Sequence, residues 1–244
     1  MISVITELNL WLIFASLVLS PSSVLAQDAN IPQVTYPKLA LHAKDAQGFV
    51  PVGWKLDHQQ SGDLNGDGVE DLLFVIVDDD PKNIIADPNG GDKPINTNPY
   101  ILAVAFADKA AHDYKLVLEN HALIPRPTQE LFDDIYSKDE TKVAHGSFKV
   151  GLFWFASTIH QPTLQFKYQH NKFELIGYEV VDTHRGTGEV ISKSVNYLSR
   201  KMEIKSGTIS DDTTKSTFKK LKPAQLINID QIVDGLEFEP KIGR

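Results

Sequence analysis

The chain has 244 residues, with 24 Lys plus Arg against 32 Asp plus Glu, a formal net charge of -8 and no cysteine. With 42% hydrophobic residues it can bury a sizeable core, and its acidic balance speaks against nucleic acid as partner, because phosphate binding needs a clustered basic surface. The lack of cysteine removes disulfide scaffolds, thiol nucleophiles, iron–sulfur clusters and Cys-type zinc sites.

Residues 8–19 form an apolar run of the length of a signal-peptide core. A Ser-Pro-Ser-Ser break follows, then Val24-Leu25-Ala26 with small residues where a signal peptidase needs them. The expected leader is therefore 1–26, although Glu7 stands where basic residues are usual. The run is shorter than the roughly 20 residues that span a bilayer. The mature chain, 27–244, loses only Glu7 among its charges, which leaves 24 basic against 31 acidic side chains, net -7. No later segment is apolar and long enough to cross a membrane as a helix, and no Asn-x-Ser/Thr acceptor occurs. Export without cysteine fits a bacterial periplasm or exterior.

Residues 27–37 read as a loose lead-in, and Lys38 to Gln47 as a short helix ending at Gly48. Gly53 to Gln60 reads as a strand, and the apolar run Asp71 to Val77 as a buried central strand. The stretch Pro81 to Pro99, with four prolines and Gly90-Gly91, predicts a long excursion. Tyr100 to Ala107 and Tyr114 to Asn120 read as a strand pair. Phe148, Val150, Leu152 and Trp154 share one face of a strand by alternation. Leu164 to Tyr168 and Phe173 to Val181 flank a Gln169-His170-Asn171 turn, and Val190 to Leu198 and Met202 to Ile204 flank Ser199-Arg200-Lys201. Leu226, Ile229 and Val233 fall at helical spacing, so Pro223 to Val233 reads as a second short helix. The expected fold is mainly β: one antiparallel β-rich domain, a sandwich or barrel-like meander, with one or two short peripheral helices.

The strongest motif is Asp63-Leu64-Asn65-Gly66-Asp67-Gly68-Val69-Glu70-Asp71. Calcium is a hard cation that takes about six to eight oxygens. Asp63, Asn65 and Asp67 alternate so that three side-chain oxygens point inward, Gly68 permits a sharp bend, Val69 offers its backbone carbonyl and Asp71 closes the loop. The predicted metal residues are thus Asp63, Asn65, Asp67, Val69 and Asp71, with calcium as the ion. Phe74 stands where an EF-hand carries its bidentate Glu, and a β-type run follows instead of a helix. The expected site is a strand–loop–strand version. A hairpin turn without metal is the competing explanation, because Asn-Gly and Asp-Gly are good turn formers.

These residues resemble the calcium loop of FG-GAP/VCBS-type repeats, the kind found in integrin α-chain propellers. The resemblance covers about a dozen residues and implies a structural calcium between two strands. A propeller needs several copies and this chain has one. A looser resemblance runs through Gly53-Trp54, the loop, Phe166-Lys167-Tyr168, Phe173 to Tyr178 and Asn196 to Ser199. It is similar to a group of uncharacterised bacterial exported proteins with one such loop and a β-rich body. That group implies a fold and a location but no activity.

Other candidates carry weaker signals. Asp78-Asp79-Asp80 is a possible cation cluster or a solvated strand end, and Asp133-Asp134 and Asp211-Asp212 are similar. The eight histidines form no His-x-His, His-x-x-x-His or His-Glu-x-x-His pattern. Asp182-Thr183-His184-Arg185 imitates an acid–base group, but no nucleophile elbow or phosphate loop accompanies it. Phe153 and Phe155 would line a groove if both were exposed. The expectation is an exported, non-enzymatic calcium-binding protein acting as a binding or inhibitory module. A specific form of it is a periplasmic immunity-type protein whose partner is a toxin. No membrane contact is expected once the leader is removed. The rival is a calcium-dependent hydrolase of cell-wall or extracellular polymer.

Overall fold

The computed structural model describes residues 31–87, 91–128 and 135–240. The leader and Asp133-Asp134 lie outside the described residues. Fifteen strands follow in order: β1 (His42–Ala43), β2 (Trp54–Gly62), β3 (Asp71–Asp78), β4 (Ile84–Ile85), β5 (Ile95–Asn96), β6 (Tyr100–Asp108), β7 (Asp113–Asn120) and β8 (Tyr136–Ala144). They continue with β9 (Ser147–Leu152), β10 (Trp154–Phe155), β11 (Thr158–Gln169), β12 (Lys172–His184), β13 (Glu189–Asn196), β14 (Lys201–Thr208) and β15 (Asp211–Lys220). A five-stranded sheet runs β1-β7-β6-β3-β2, and the larger sheet runs β15-β14-β13-β12-β11-β9-β8, with β10 against β11. Strands β4 and β5 pair within the excursion after β3.

The two large sheets face one another across a common core. Leu73 and Val75 of β3 and Leu102 and Val104 of β6 pack with Phe148, Leu164, Phe166 and Tyr178 of the larger sheet. Strand side chains alternate faces, so Leu72, Phe74 and Ile76 point the other way. There they meet Leu39, Ala46 and Phe49 from the segment before β2. Strand β3 is therefore buried on both faces, which explains its unbroken apolar run. Beyond the small sheet, the tail after β15 covers the larger sheet, with Phe238 against Tyr178 at 5.4 Å between ring centroids. The arrangement is a sandwich; the sheets meet edge to edge at β2 and β8 without a shared ladder. That seam carries an ion pair from Lys138 to Asp57 at 2.8 Å and a His58 Nε2 contact to the Thr141 carbonyl at 3.1 Å. At its end a Cβ on Gly62 would lie 2.6 Å from Val143 Cγ1, so only glycine lets the strands approach there.

Neither predicted α-helix forms. Within Lys38–Gln47 the one regular element is a two-residue strand, with His42 opposite Lys115 and Ala43 opposite Tyr114 of β7, and a bend leads into a 3-10 turn at Gln47–Phe49. Lys44 Nζ donates to the His112 carbonyl at 2.9 Å. Covering the outer face of the small sheet outweighs local helix propensity here. In Pro223–Val233 only Ile229–Gln231 is helical, again as one 3-10 turn, because Leu175 N donates to the Ile227 carbonyl at 2.8 Å and draws the chain out along β12. The Phe148–Leu152 face is buried as predicted, but Trp154 lies on β10 and is half-exposed. Phe153 and Phe155 are half-buried, and the Arg185 guanidinium lies 4.2 Å over the Phe155 ring.

Two buried phenols identify a place where the core is not optimised. The Tyr178 and Tyr197 hydroxyls are buried without a hydrogen-bond partner among the described residues. Burial pushes the Tyr197 phenol up to about 12 and raises that of Tyr178 further above the usual value. A raised phenol favours the folded state's neutral form. Its contribution is complete below the unfolded value of about 10 and is lost as pH rises through the folded one. Tyr178→Phe removes an unsatisfied hydroxyl, so urea denaturation at neutral pH should give equal or up to ~1 kcal/mol greater stability. The margin over the parent should widen above about pH 10. A less stable Tyr178→Phe protein at both pH values would contradict this account.

Candidate metal centre

The loop between β2 and β3 is wound by its own side chains. Gly66 and Gly68 hold φ of 84° and 80°, the left-handed region that favours glycine. Asp63 Oδ1 accepts from Gly66 N at 2.7 Å and Asp67 N at 3.2 Å, and its Oδ2 accepts from Gly68 N at 3.0 Å. Asn65 Oδ1 accepts from Asp67 N at 2.8 Å, and Asp67 Oδ1 from Val69 N at 2.8 Å. These Asx-type bonds fold the backbone back on alternate residues. Lys109 Nζ reaches the Asp67 carbonyl at 3.5 Å, and Ser61 Oγ donates to Glu70 at 3.2 Å.

Asp71 differs from the rest. It is fully buried, while Asp67 is exposed and Asp63 and Asn65 are half-buried. Its Oδ2 accepts from Leu64 N at 2.9 Å and Asn65 N at 3.2 Å, and its Oδ1 from Ala107 N of β6 at 3.0 Å. Burial pushes its carboxyl above the ordinary range, against the pull of those three N–H donors, and the nearby Asp67 charge adds to the rise. Asp71 thus bolts the loop to the neighbouring strand.

Four of the five predicted residues lie in this loop and Asp71 opens β3 at its end, and their donors are oxygens only, which suits a hard cation. Each carboxylate oxygen that accepts one N–H retains a second lone pair. Among the described residues, however, no group of three or more His, Cys, Asp or Glu side chains stands gathered on a common point. The Asp63, Asp67 and Asp71 carboxylates, the Asn65 amide and the Val69 carbonyl are the oxygens that would hold a calcium ion here.

The other candidates serve the scaffold. Asp78–Asp80 lies at the opposite end of β3 from Asp71, roughly 23 Å away by strand rise, so it adds nothing to the loop. Asp78 accepts from Asp79 N at 2.9 Å and from Asn83 Nδ2 at 2.9 Å, and burial raises its carboxyl. Asp79 pairs with Lys55 at 2.7 Å, and Asp80 caps the next 3-10 turn through Lys82 N at 2.9 Å. His184 Nδ1 meets the Thr187 hydroxyl at 3.0 Å within its own turn. Asp182 pairs with His160, Oδ1 to Nδ1 at 2.6 Å, across the β11–β12 ladder. His160 Nε2 in turn faces the Leu236 carbonyl at 3.2 Å, so both ring nitrogens point at acceptors and tie the tail to the sheet.

Sequence reasoning passed over Arg126. It donates to the Thr97 carbonyl through Nε, to the Pro32 carbonyl at 2.6 Å through one terminal nitrogen, and to Asn83 Oδ1 at 2.7 Å and Thr97 Oγ1 at 3.0 Å through the other. Burial lowers the Arg126 guanidinium from its usual value, with Tyr36 and Asp78 acting the other way. Its setting, Pro125-Arg126-Pro127, was the available signal. No known protein family, no curated protein and no solved structure matches the chain.

Proposed function

We propose that the protein is an exported, non-enzymatic binding module in which one calcium ion pins the β2–β3 loop. The carrying observation is the loop itself: Asp63, Asn65, Asp67, Asp71 and the Val69 carbonyl bring only oxygen donors to one nine-residue turn. Two glycines let it curl, and a buried carboxylate anchors it. The apolar leader pattern at 1–26 supports export. Calcium would stiffen a loop whose carboxylates otherwise repel, fixing the end of β2 beside β8.

Binding is favoured over hydrolysis by the fate of the acid–base candidates. Asp182 is taken by His160, whose second nitrogen faces a backbone carbonyl, and His184 Nδ1 is engaged by Thr187 within its own exposed turn. A general base must lie within hydrogen-bond reach of the proton it takes, and His160 has neither ring nitrogen free for that. A periplasmic immunity-type role, with a toxin as partner, is the specific form of this proposal. Pulldown against the products of neighbouring genes tests it, and a deletion strain no more susceptible than its parent would remove it.

Calcium titration tests the metal. The expected result is a saturable one-site heat and a higher melting temperature, with stabilisation of about 2.7 kcal/mol at a hundredfold excess over Kd. For a domain of this size that is a rise of roughly 5–10 °C. Asp67→Ala should abolish both. No heat and no shift in the parent protein would refute calcium binding.

A further inference from the structure

Strand β15 ends the larger sheet, and β14 is its sole ladder partner among the described residues. From Lys201 opposite Lys220 to Ser206 opposite Lys215 that ladder is regular. Thr213 to Lys220 are exposed, on both faces of the strand. The side that each backbone group faces follows from one bond. Leu221 N donates to the Arg200 carbonyl at 2.8 Å, and successive residues of an antiparallel strand turn their N–H and C=O groups to opposite sides. Lys219, Thr217 and Lys215 therefore point theirs at β14, while Lys220, Phe218 and Ser216 point theirs at the open edge. Among the described residues nothing bonds to those outward groups.

The edge is also charged. Residues 213–222 hold four lysines and no acidic residue, in a chain of net charge -8. Lys220 stands opposite Lys201, a pairing in which like charges repel. Among the described residues no carboxylate pairs with Lys201, Lys215, Lys219 or Lys220, whereas nearby Lys193 and Lys205 have acidic partners. In the middle of this run Phe218 is 72% exposed. Side chains alternate faces, so Phe218 and Lys220 share one face of the strand and Lys215 and Lys219 the other. Lysine on an edge discourages pairing with a like strand, and it favours a strand that carries carboxylates. A nucleic acid would meet the charges but leave the outward N–H and C=O groups unused.

We propose that the free edge of β15 docks an extended acidic segment of a partner protein as an added antiparallel strand. The backbone of that segment pairs with Ser216, Phe218 and Lys220, its carboxylates meet Lys215, Lys219 and Lys220, and an apolar side chain covers Phe218. This names a kind of partner for the binding-module reading, and it stands whether or not the β2–β3 loop takes calcium. The test is titration, in chelator, with the synthetic peptide Thr-Glu-Glu-Val-Thr-Val-Glu-Thr, whose antiparallel register sets three Glu opposite those lysines and one Val opposite Phe218. Calorimetry should give one saturable site, and amide exchange should slow at Ser216, Phe218 and Lys220. Ser216→Pro removes an outward N–H that β14 does not use, a change that edge strands tolerate. Its melting temperature should hold while affinity for the peptide falls about tenfold. Lys219→Glu combined with Lys220→Glu should weaken binding at least as much. Absence of saturable heat with the parent protein would overturn the proposal, as would affinity unchanged in Ser216→Pro, which would reduce the contact to charge alone. So would binding of a DNA duplex but not of the peptide, or a dimer of the protein itself that pairs β15 with β15 and shuts the peptide out.

Discussion

Asp71→Ala should cost about 3–5 kcal/mol, a large part of the total for a domain with ordinary stability. The cause is geometric. The substitution leaves the buried N–H of Leu64 and the part-buried N–H groups of Asn65 and Ala107 without their acceptor, and a fully buried unsatisfied donor costs about 1–3 kcal/mol. Some of that is recovered because an ionised carboxylate no longer has to be buried, as the raised Asp71 carboxyl indicates. Asp71→Asn keeps one acceptor oxygen and should lose less. Urea denaturation in chelator is the decisive measurement, since the three bonds run within the chain and need no metal. A loss seen only with calcium present would show that Asp71 acts through the ion and not through the backbone.

Arg126→Ala should be the second large loss, about 2–4 kcal/mol, concentrated in one region of the molecule. The guanidinium joins three stretches distant in sequence: Pro32, the Asn83 turn, and Thr97 at the end of the excursion. Thr97, Asn83 and Asn98 are buried and also bond one another, Thr97 Oγ1 to the Asn83 carbonyl at 2.7 Å and Asn83 Nδ2 to Asn98 Oδ1 at 2.9 Å. Removing the fork leaves those acceptors dry. Arg126→Lys should not restore them, because an ammonium lacks the planar fork. Amide exchange should rise across 83–98 while β11 and β12 stay protected. Uniform acceleration throughout the chain would mean that Arg126 supports the whole core.

What could be read beforehand follows burial. Strands β3, β6, β9 and β12 bury one or both faces, so their apolar periodicity marks them. Strands β8 and β15 escaped notice because they are edges: Ser137 to Lys142 and Asp211 to Ser216 are almost wholly polar, and Thr213 to Lys220 are exposed. The segment 38–47 has helix formers but is drawn out by a sheet edge 70 residues away, which no local pattern reports. The loop is similar. Its Asn-Gly and Asp-Gly steps and alternate carboxylates are local chemistry and therefore visible. The bond from Ala107 N to Asp71 spans 36 residues, and Arg126 acts on Pro32 across 94; both depend on tertiary placement.

The division of the core between the two halves of the chain bears on synthesis. The five-stranded sheet is complete at Asn120, and its backbone ladders can form from the first half alone. Its outer face is also covered locally, by Leu39, Ala46 and Phe49. The inner face is not, because Leu73, Val75, Leu102 and Val104 share their core mostly with residues from Tyr136 onward. A nascent chain must therefore carry an uncovered apolar surface until its second half emerges. That keeps the first half short of its final state, and open to a chaperone, for as long as the ribosome is still at work.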